Sequence, residues 1–177
     1  MTTTLHYGLD SRLALDFPPG VLVEHCAAPA VPATHDSVTA ARQALEQPVG
    51  FPPLAEAIVP GDHVTIAVEA AVPEADAIVA AVVQCIERAG ANAEDVTVLR
   101  THSDTEAGAD PRRLLPPELR DRVKLETHDP NLRDQLGYLA NTQGGRPIYL
   151  HRALCDADLV VLVGCMRSRE ALAYHGI

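Results

Sequence analysis

The sequence predicts an α/β domain: an open, mainly parallel sheet flanked by helices, with a β-hairpin at the N-terminus and a second hairpin near 136–150. Three observations carry this prediction. Short apolar, β-branched runs recur at Val64 to Val68, Asp95 to Leu99, Val123 to Thr127 and Asp158 to Gly164, the pattern of strands covered on both faces. Between the first two lies a stretch with helical spacing, Pro73 to about Ala89, whose Ile78, Val79, Val82, Val83 and Ile86 share one broad face. Strands that alternate with helices favour a parallel sheet with right-handed crossovers.

Taken in order, Leu5 to Tyr7 and Leu13 to Phe17 read as two strands around Gly8-Leu9-Asp10-Ser11, and Val21 to Glu24 as a possible third. Three prolines make 27–34 an extended connector. Asp36 or Ser37 can cap a helix that Pro48 stops, and Leu54 to Val59 reads as a short helix. Pro60-Gly61-Asp62 turns into the Val64 strand. Pro73 suits the first helical position, where its missing N–H has no helical partner, and Glu74 and Asp76 then sit at the positive end of the helix dipole. Gly90 ends that helix as a glycine beyond a C-cap does. Pro111 to Arg122 contains a short helix interrupted near Pro116-Pro117. Leu136 to Ala140 and Pro147 to Leu150 pair around Asn141-Thr142-Gln143-Gly144-Gly145. Asp158 to Gly164 is the clearest buried strand.

The 177 residues suffice for one domain of ordinary size, spanning 1–177, with no repeat and no low-complexity tract. Aromatics are only 3% and Trp is absent, so Val, Leu, Ile and Ala must build the core. A net charge of −10 repels phosphate backbones and anionic lipid, which argues against nucleic-acid and membrane-surface partners. Cys26, Cys85, Cys155 and Cys165 form no CxxC pair, which supports neither a zinc knuckle nor a disulfide framework and points to a reducing compartment. With no apolar run of membrane-spanning length and no signal-like N-terminus, the expected location is the cytoplasm.

In open α/β sheets ligands bind beyond the carboxyl ends of the strands. The predicted topology brings to that edge Glu69, then Thr101-His102-Ser103-Asp104, then His128-Asp129, then Arg167-Ser168-Arg169. A histidine, carboxylates and two arginines on one rim can bind a small anion and move a proton. Each has a plainer reading. A loop histidine such as His102 is more often solvated than catalytic, His128-Asp129-Pro130 is an ordinary turn opener, Arg167 and Arg169 make a solvated loop, and Glu69 caps or orients its turn. There is no GxGxxG after a strand, no Walker loop, no GxSxG, no HExxH and no metal-ligand spacing among the eight histidines.

The order and spacing of several pieces do resemble a known family, the N-terminal domain of the nickel-dependent lactate racemases. These pieces are Leu5-His6-Tyr7-Gly8 with Leu13 to Pro18, Pro48-Val49-Gly50 followed by Leu54 and Pro60-Gly61-Asp62, and the Val64 strand with its Pro73 turn. Thr101-His102, His128-Asp129-Pro130, Gly145-Arg146-Pro147-Ile148-Tyr149-Leu150 and Ala157-Asp158-Leu159 into Gly164 continue the match.

The resemblance implies an isomerase, a racemase or epimerase of a small 2-hydroxy acid. Two histidines work as opposed acid–base groups, and a nickel pincer nucleotide tethered to a lysine exchanges a hydride with the α-carbon. His102 falls on the first catalytic histidine. The second falls near Arg169, and His175 is the nearest histidine to it. The family's Asp-His-Thr-Arg-Pro lies over Glu69-Ala70-Ala71-Val72-Pro73, so its carboxylate-binding arginine is Val72 here. Glu69, Arg167, Arg169 and His175 are the candidate substrate-binding residues. The family's cofactor-bearing lysine and nickel-ligating histidine lie beyond the matched stretch. No cofactor is therefore expected in this chain alone, which reads as truncated; a full-length member would carry the nickel pincer and a C-terminal domain as partner. The alternative is a catalytically degenerate module that binds a small carboxylate or a partner protein.

Overall fold

The computed structural model describes residues 2–7, 11–21, 36–69, 72–101 and 110–165. The chain divides into two compact units, Met1–Thr34 and His35–Ile177. In the first, β1 (Thr2–Tyr7) and β2 (Ser11–Asp16) pair antiparallel, with Leu5 opposite Leu13. The Thr2 hydroxyl donates to the Asp16 carboxylate across the open end of the hairpin at 3.2 Å. Of the possible third strand, Val21 lies in a turn and 22–24 fall outside the described residues.

The second unit is built on four parallel strands in the order β5-β4-β3-β8: β3 (Val64–Val68), β4 (Val96–Thr101), β5 (Lys124–His128) and β8 (Leu159–Val163). Residues in register share a face. On one face Val64, Ile66, Val68, Val96, Val98, Leu125, Val161 and Val163 join a single apolar cluster with the helices that cover them. Those helices are α1 (Ser37–Glu46), α2 (Leu54–Ala57) and α3 (Ala75–Arg88). α3 buries Val79, Val82, Val83 and Ile86, the stripe its helical spacing marks out, with Ile78 packed at its margin.

The helix ends follow local chemistry. Asp36 takes the N-cap position of α1, yet its carboxylate accepts from the Thr39 hydroxyl at 3.2 Å and not from a backbone N–H. The expectation that Pro73 opens α3 is wrong by two residues. Glu74 sits in the left-handed region at φ 54°, which breaks the helical path, so the helix starts at Ala75. Asp76 stays in the first turn, where it pairs with Arg113. Gly90, at φ 102°, ends α3 as expected. Pro116 and Pro117 do not interrupt a helix. They start α4 (Pro117–Arg122), with Pro117 in its first turn. Arg112 closes the other end of α4: its Nη1 donates to the carbonyls of Val123 at 2.6 Å and Arg120 at 3.2 Å. The rest of the guanidinium forks onto Asp110, Nε to Oδ1 at 3.0 Å and Nη2 to Oδ2 at 2.8 Å. Although burial raises the Asp110 carboxyl, these hydrogen bonds and the Arg112 and Arg100 charges hold it below its ordinary value.

The other face of the sheet carries Thr65, Ala67, Thr97, Leu99, Glu126 and His128. A second hairpin, β6 (Leu136–Asn141) with β7 (Pro147–His151), is followed by a short helix α5 (Arg152–Cys155) that the sequence did not announce. The Thr65 hydroxyl donates to the Ala153 carbonyl at 2.7 Å, which fixes α5 over β3. The β8 segment departs from its reading as the clearest buried strand. It is an edge strand whose alternate residues Val160 and Leu162 are 36% and 69% exposed, because cover on this face is thin beyond β3. Among the described residues no helix is long and apolar enough to cross a membrane.

Candidate functional site at the carboxyl edge

Glu69 is the first residue beyond β3, and it is buried, with 8% exposure. A buried carboxylate is costly unless it accepts hydrogen bonds. The Glu69 backbone N–H donates to the Val163 carbonyl at 2.9 Å, extending the β3–β8 ladder by one step. Its Oε2 accepts from the Cys165 backbone N–H, also at 2.9 Å, a charge-assisted bond between residues 96 positions apart. Gly164 makes this reach possible, since a Cβ there would stand 3.0 Å from that oxygen. Two turns at the carboxyl edge are thus joined by one side chain.

The neighbouring strands leave at the same edge. Thr101, the last residue of β4, is in register with His128, the last of β5. Thr101 therefore ends β4 at the rim that holds Glu69, where Gly164 and Cys165 also follow β8. The side chains of His102, Arg167, Arg169 and His175 lie outside the described residues. Val72 is described: it is partly buried and packs against the apolar cluster.

Beside this edge a cavity of about 200 Å³ lies between sheet and hairpin, lined by Leu99, Thr101, His128, Tyr149, Leu150 and Leu154. A larger cleft of about 900 Å³ opens at the opposite, amino end of the strands, where His63, Thr65, Thr97, Lys124, Glu126 and His151 line it. Size alone favours the second. Of the described rim residues it touches Asp129 alone, and the edge rule for parallel sheets favours the first.

His151 escaped the sequence reading. It is 3% exposed at the end of β7, its Nδ1 accepts from the Ala153 N–H at 3.2 Å, and the same Nδ1 stands 3.6 Å from Glu126 Oε2. Burial pushes the imidazole below its ordinary value; Glu126 opposes the shift and His128 adds to it. No spacing flagged this residue, because its burial comes from the fold of the second hairpin. Asp129 behaves as the turn opener expected of it, accepting from the Asn131 N–H at 2.9 Å.

The sequence profile of the lactate racemase N-terminal domain matches residues 7–176. The chain belongs to that family. Among solved structures, the lactate racemase apoprotein from Thermoanaerobacterium thermosaccharolyticum matches with a TM-score of 0.64 at 15% identity, over 92% of this chain and 38% of that one. At that identity the likeness shows the fold, and the chain spans well under half the length of that racemase. No curated protein is similar enough in sequence to count as a relative.

For a lactate racemase domain the cofactor is the next question, and the residues present do not fit its tether. The chain has a single lysine, Lys124, and it is the first residue of β5. That places it at the amino end of the sheet, roughly 15 Å of strand from the rim. Among the described residues no group of three or more His, Cys, Asp or Glu side chains is arranged to hold a metal ion.

Proposed function

We propose that this domain supplies the acid–base part of a racemase or epimerase acting on a small 2-hydroxy acid, with His102 as the proton-transfer group. The observation that supports this most is the junction of Glu69 with Gly164-Cys165 at the edge where β4 also ends. It gives the family match a rim on which separate loops meet. In this reading a neutral His102 takes the proton of the substrate hydroxyl and returns it when the hydroxyl re-forms. Arg167 and Arg169 supply the cation for the substrate carboxylate in place of the arginine lost at Val72, and Glu69 and His175 complete the polar lining. The hydride acceptor, a nickel pincer nucleotide by family resemblance, is carried by a C-terminal domain, since Lys124 is misplaced to hold it. The free thiols of Cys85, Cys155 and Cys165 suit a reducing cytoplasm.

The test uses the native reading frame expressed with nickel and its cofactor, and follows interconversion of D- and L-2-hydroxy acids. His102→Ala is expected to lower the rate by about 10²–10⁴. An unchanged rate removes the role.

One observation favours a second reading. Val72 is packed into the apolar cluster, so the position that should face a carboxylate serves the core. A module that binds a small carboxylate or a partner protein without turnover fits that loss. Calorimetry with lactate and longer 2-hydroxy acids checks the small-ligand form, and no heat with any of them excludes it.

A further inference from the structure

At the end of the sheet away from the rim, one residue carries two ties of the α5 cover. The Ala153 N–H is held by His151 Nδ1 at 3.2 Å, and the Ala153 carbonyl by the Thr65 hydroxyl at 2.7 Å. The second tie is insensitive to pH near neutrality. The first is not, because a ring nitrogen that accepts from a backbone N–H must be unprotonated. Beside it stands an alternative partner, Glu126 Oε2, 3.6 Å from the same Nδ1. The His151 side chain is 4% exposed and that of Glu126 43%, so the carboxylate is in contact with water while the imidazole is not.

We propose that His151 is a proton-operated latch: neutral, it caps α5 and holds that helix on the sheet; protonated at Nδ1, it releases the Ala153 N–H and pairs with Glu126. The reason is donor–acceptor arithmetic. Once Nδ1 carries a proton, two donors face each other across 3.2 Å, and the carboxylate of Glu126 already stands beside the ring as an acceptor. The helix then loses its cap and keeps the Thr65 bond and the Arg152–Asp134 bond.

The surroundings set the direction of each effect. From β5, Glu126 favours the charged ring, while His128, edge-on with ring centroids 5.8 Å apart, disfavours it once charged itself. From α5, Arg152 is turned aside, its Nε donating to the Asp134 carbonyl at 3.0 Å. From β3, Thr65 offers a neutral hydroxyl. His63, Lys124, Asp129, Asp134 and Asp156 line the same cleft at its margins. Among the described residues, the buried His128 Nδ1 has no hydrogen-bond partner. What the latch controls is the cover over the amino-end cleft, to which His151, Arg152 and Ala153 all contribute.

The test is NMR on the 177-residue chain, reading the His151 ring nitrogens and backbone amide protection together from pH 7.5 downward. The Ala153 protection factor is expected to fall about fivefold or more through the His151 midpoint, as for loss of a helix cap, while Ile66 and Val98 amides stay protected. Glu126→Gln is expected to move that midpoint to lower pH. His151→Asn, which caps without titrating, is expected to keep Ala153 protection flat across the range. Constant Ala153 protection through the His151 transition in the wild-type chain overturns the latch. So does a midpoint unmoved or raised by Glu126→Gln, a measurement that stands even where His151→Asn fails to fold.

Discussion

The two faces of the parallel sheet are built from the same strands to different ends. On one, Val64, Ile66, Val68, Val96 and Val98 meet α1, α2 and α3 in a cluster with no charged member. On the other, Thr65, Thr97, Glu126 and His128 meet a hairpin and a single-turn helix, held by a few named hydrogen bonds and bordered by open volume. The first face can only be packed or unpacked. The second can change partners, because its contacts are directional and one of them titrates. Stability belongs mainly to the helical face, and adjustable chemistry to the hairpin face and to the carboxyl edge that both faces share.

The sharpest way to break this contrast is to mutate each face at matched depth. Ile66, fully buried on the helical face, loses about 3–4 kcal/mol on replacement by Ala, a deletion with little room for collapse; denaturant unfolding measures it. Arg112→Ala costs about 2 kcal/mol, because Asp110 and two α4 carbonyls lose their donor. Its signature is also in pH. The Asp110 carboxyl is depressed in the folded chain, so the stability it adds is present above the unfolded carboxyl value and is lost as pH falls through the lower folded one. The gap between wild type and Arg112→Ala should therefore narrow in strong acid, leaving the part due to the Val123 and Arg120 carbonyls. On the hairpin face Thr65→Val removes one bond, costs about 1 kcal/mol and loosens α5 without touching the cluster. Leu162→Ser, at 69% exposure on the bare edge strand, changes stability by less than about 0.5 kcal/mol; a large loss would mean that face is covered after all.

How much of this was legible beforehand follows the same division. β3 falls on the residues its apolar run marks, Val64–Val68, and α3 buries the stripe its spacing marks. Such features depend on local pattern alone. β8 was legible as a strand but not as an edge, since an apolar run reads the same whether one face or both are covered. The start of α3 was misplaced because the left-handed Glu74 has no signature that outranks a proline. The Glu69–Cys165 bond was half legible. The two turns were expected on one rim, but the burial of the carboxylate and the need for Gly164 beside it depend on strand order. His151 was not legible at all, because its neighbours Glu126 and His128 come from another strand.

The account turns on where a small hydroxy acid binds. Amide chemical-shift mapping of the 177-residue chain with D- and L-lactate decides it most directly. Shifts centred on Glu69, Thr101, His102, Gly164, Cys165 and Arg167 are the predicted result. Shifts that instead centre on His63, Thr65, Thr97 and His151, or no shifts with either enantiomer, would contradict it.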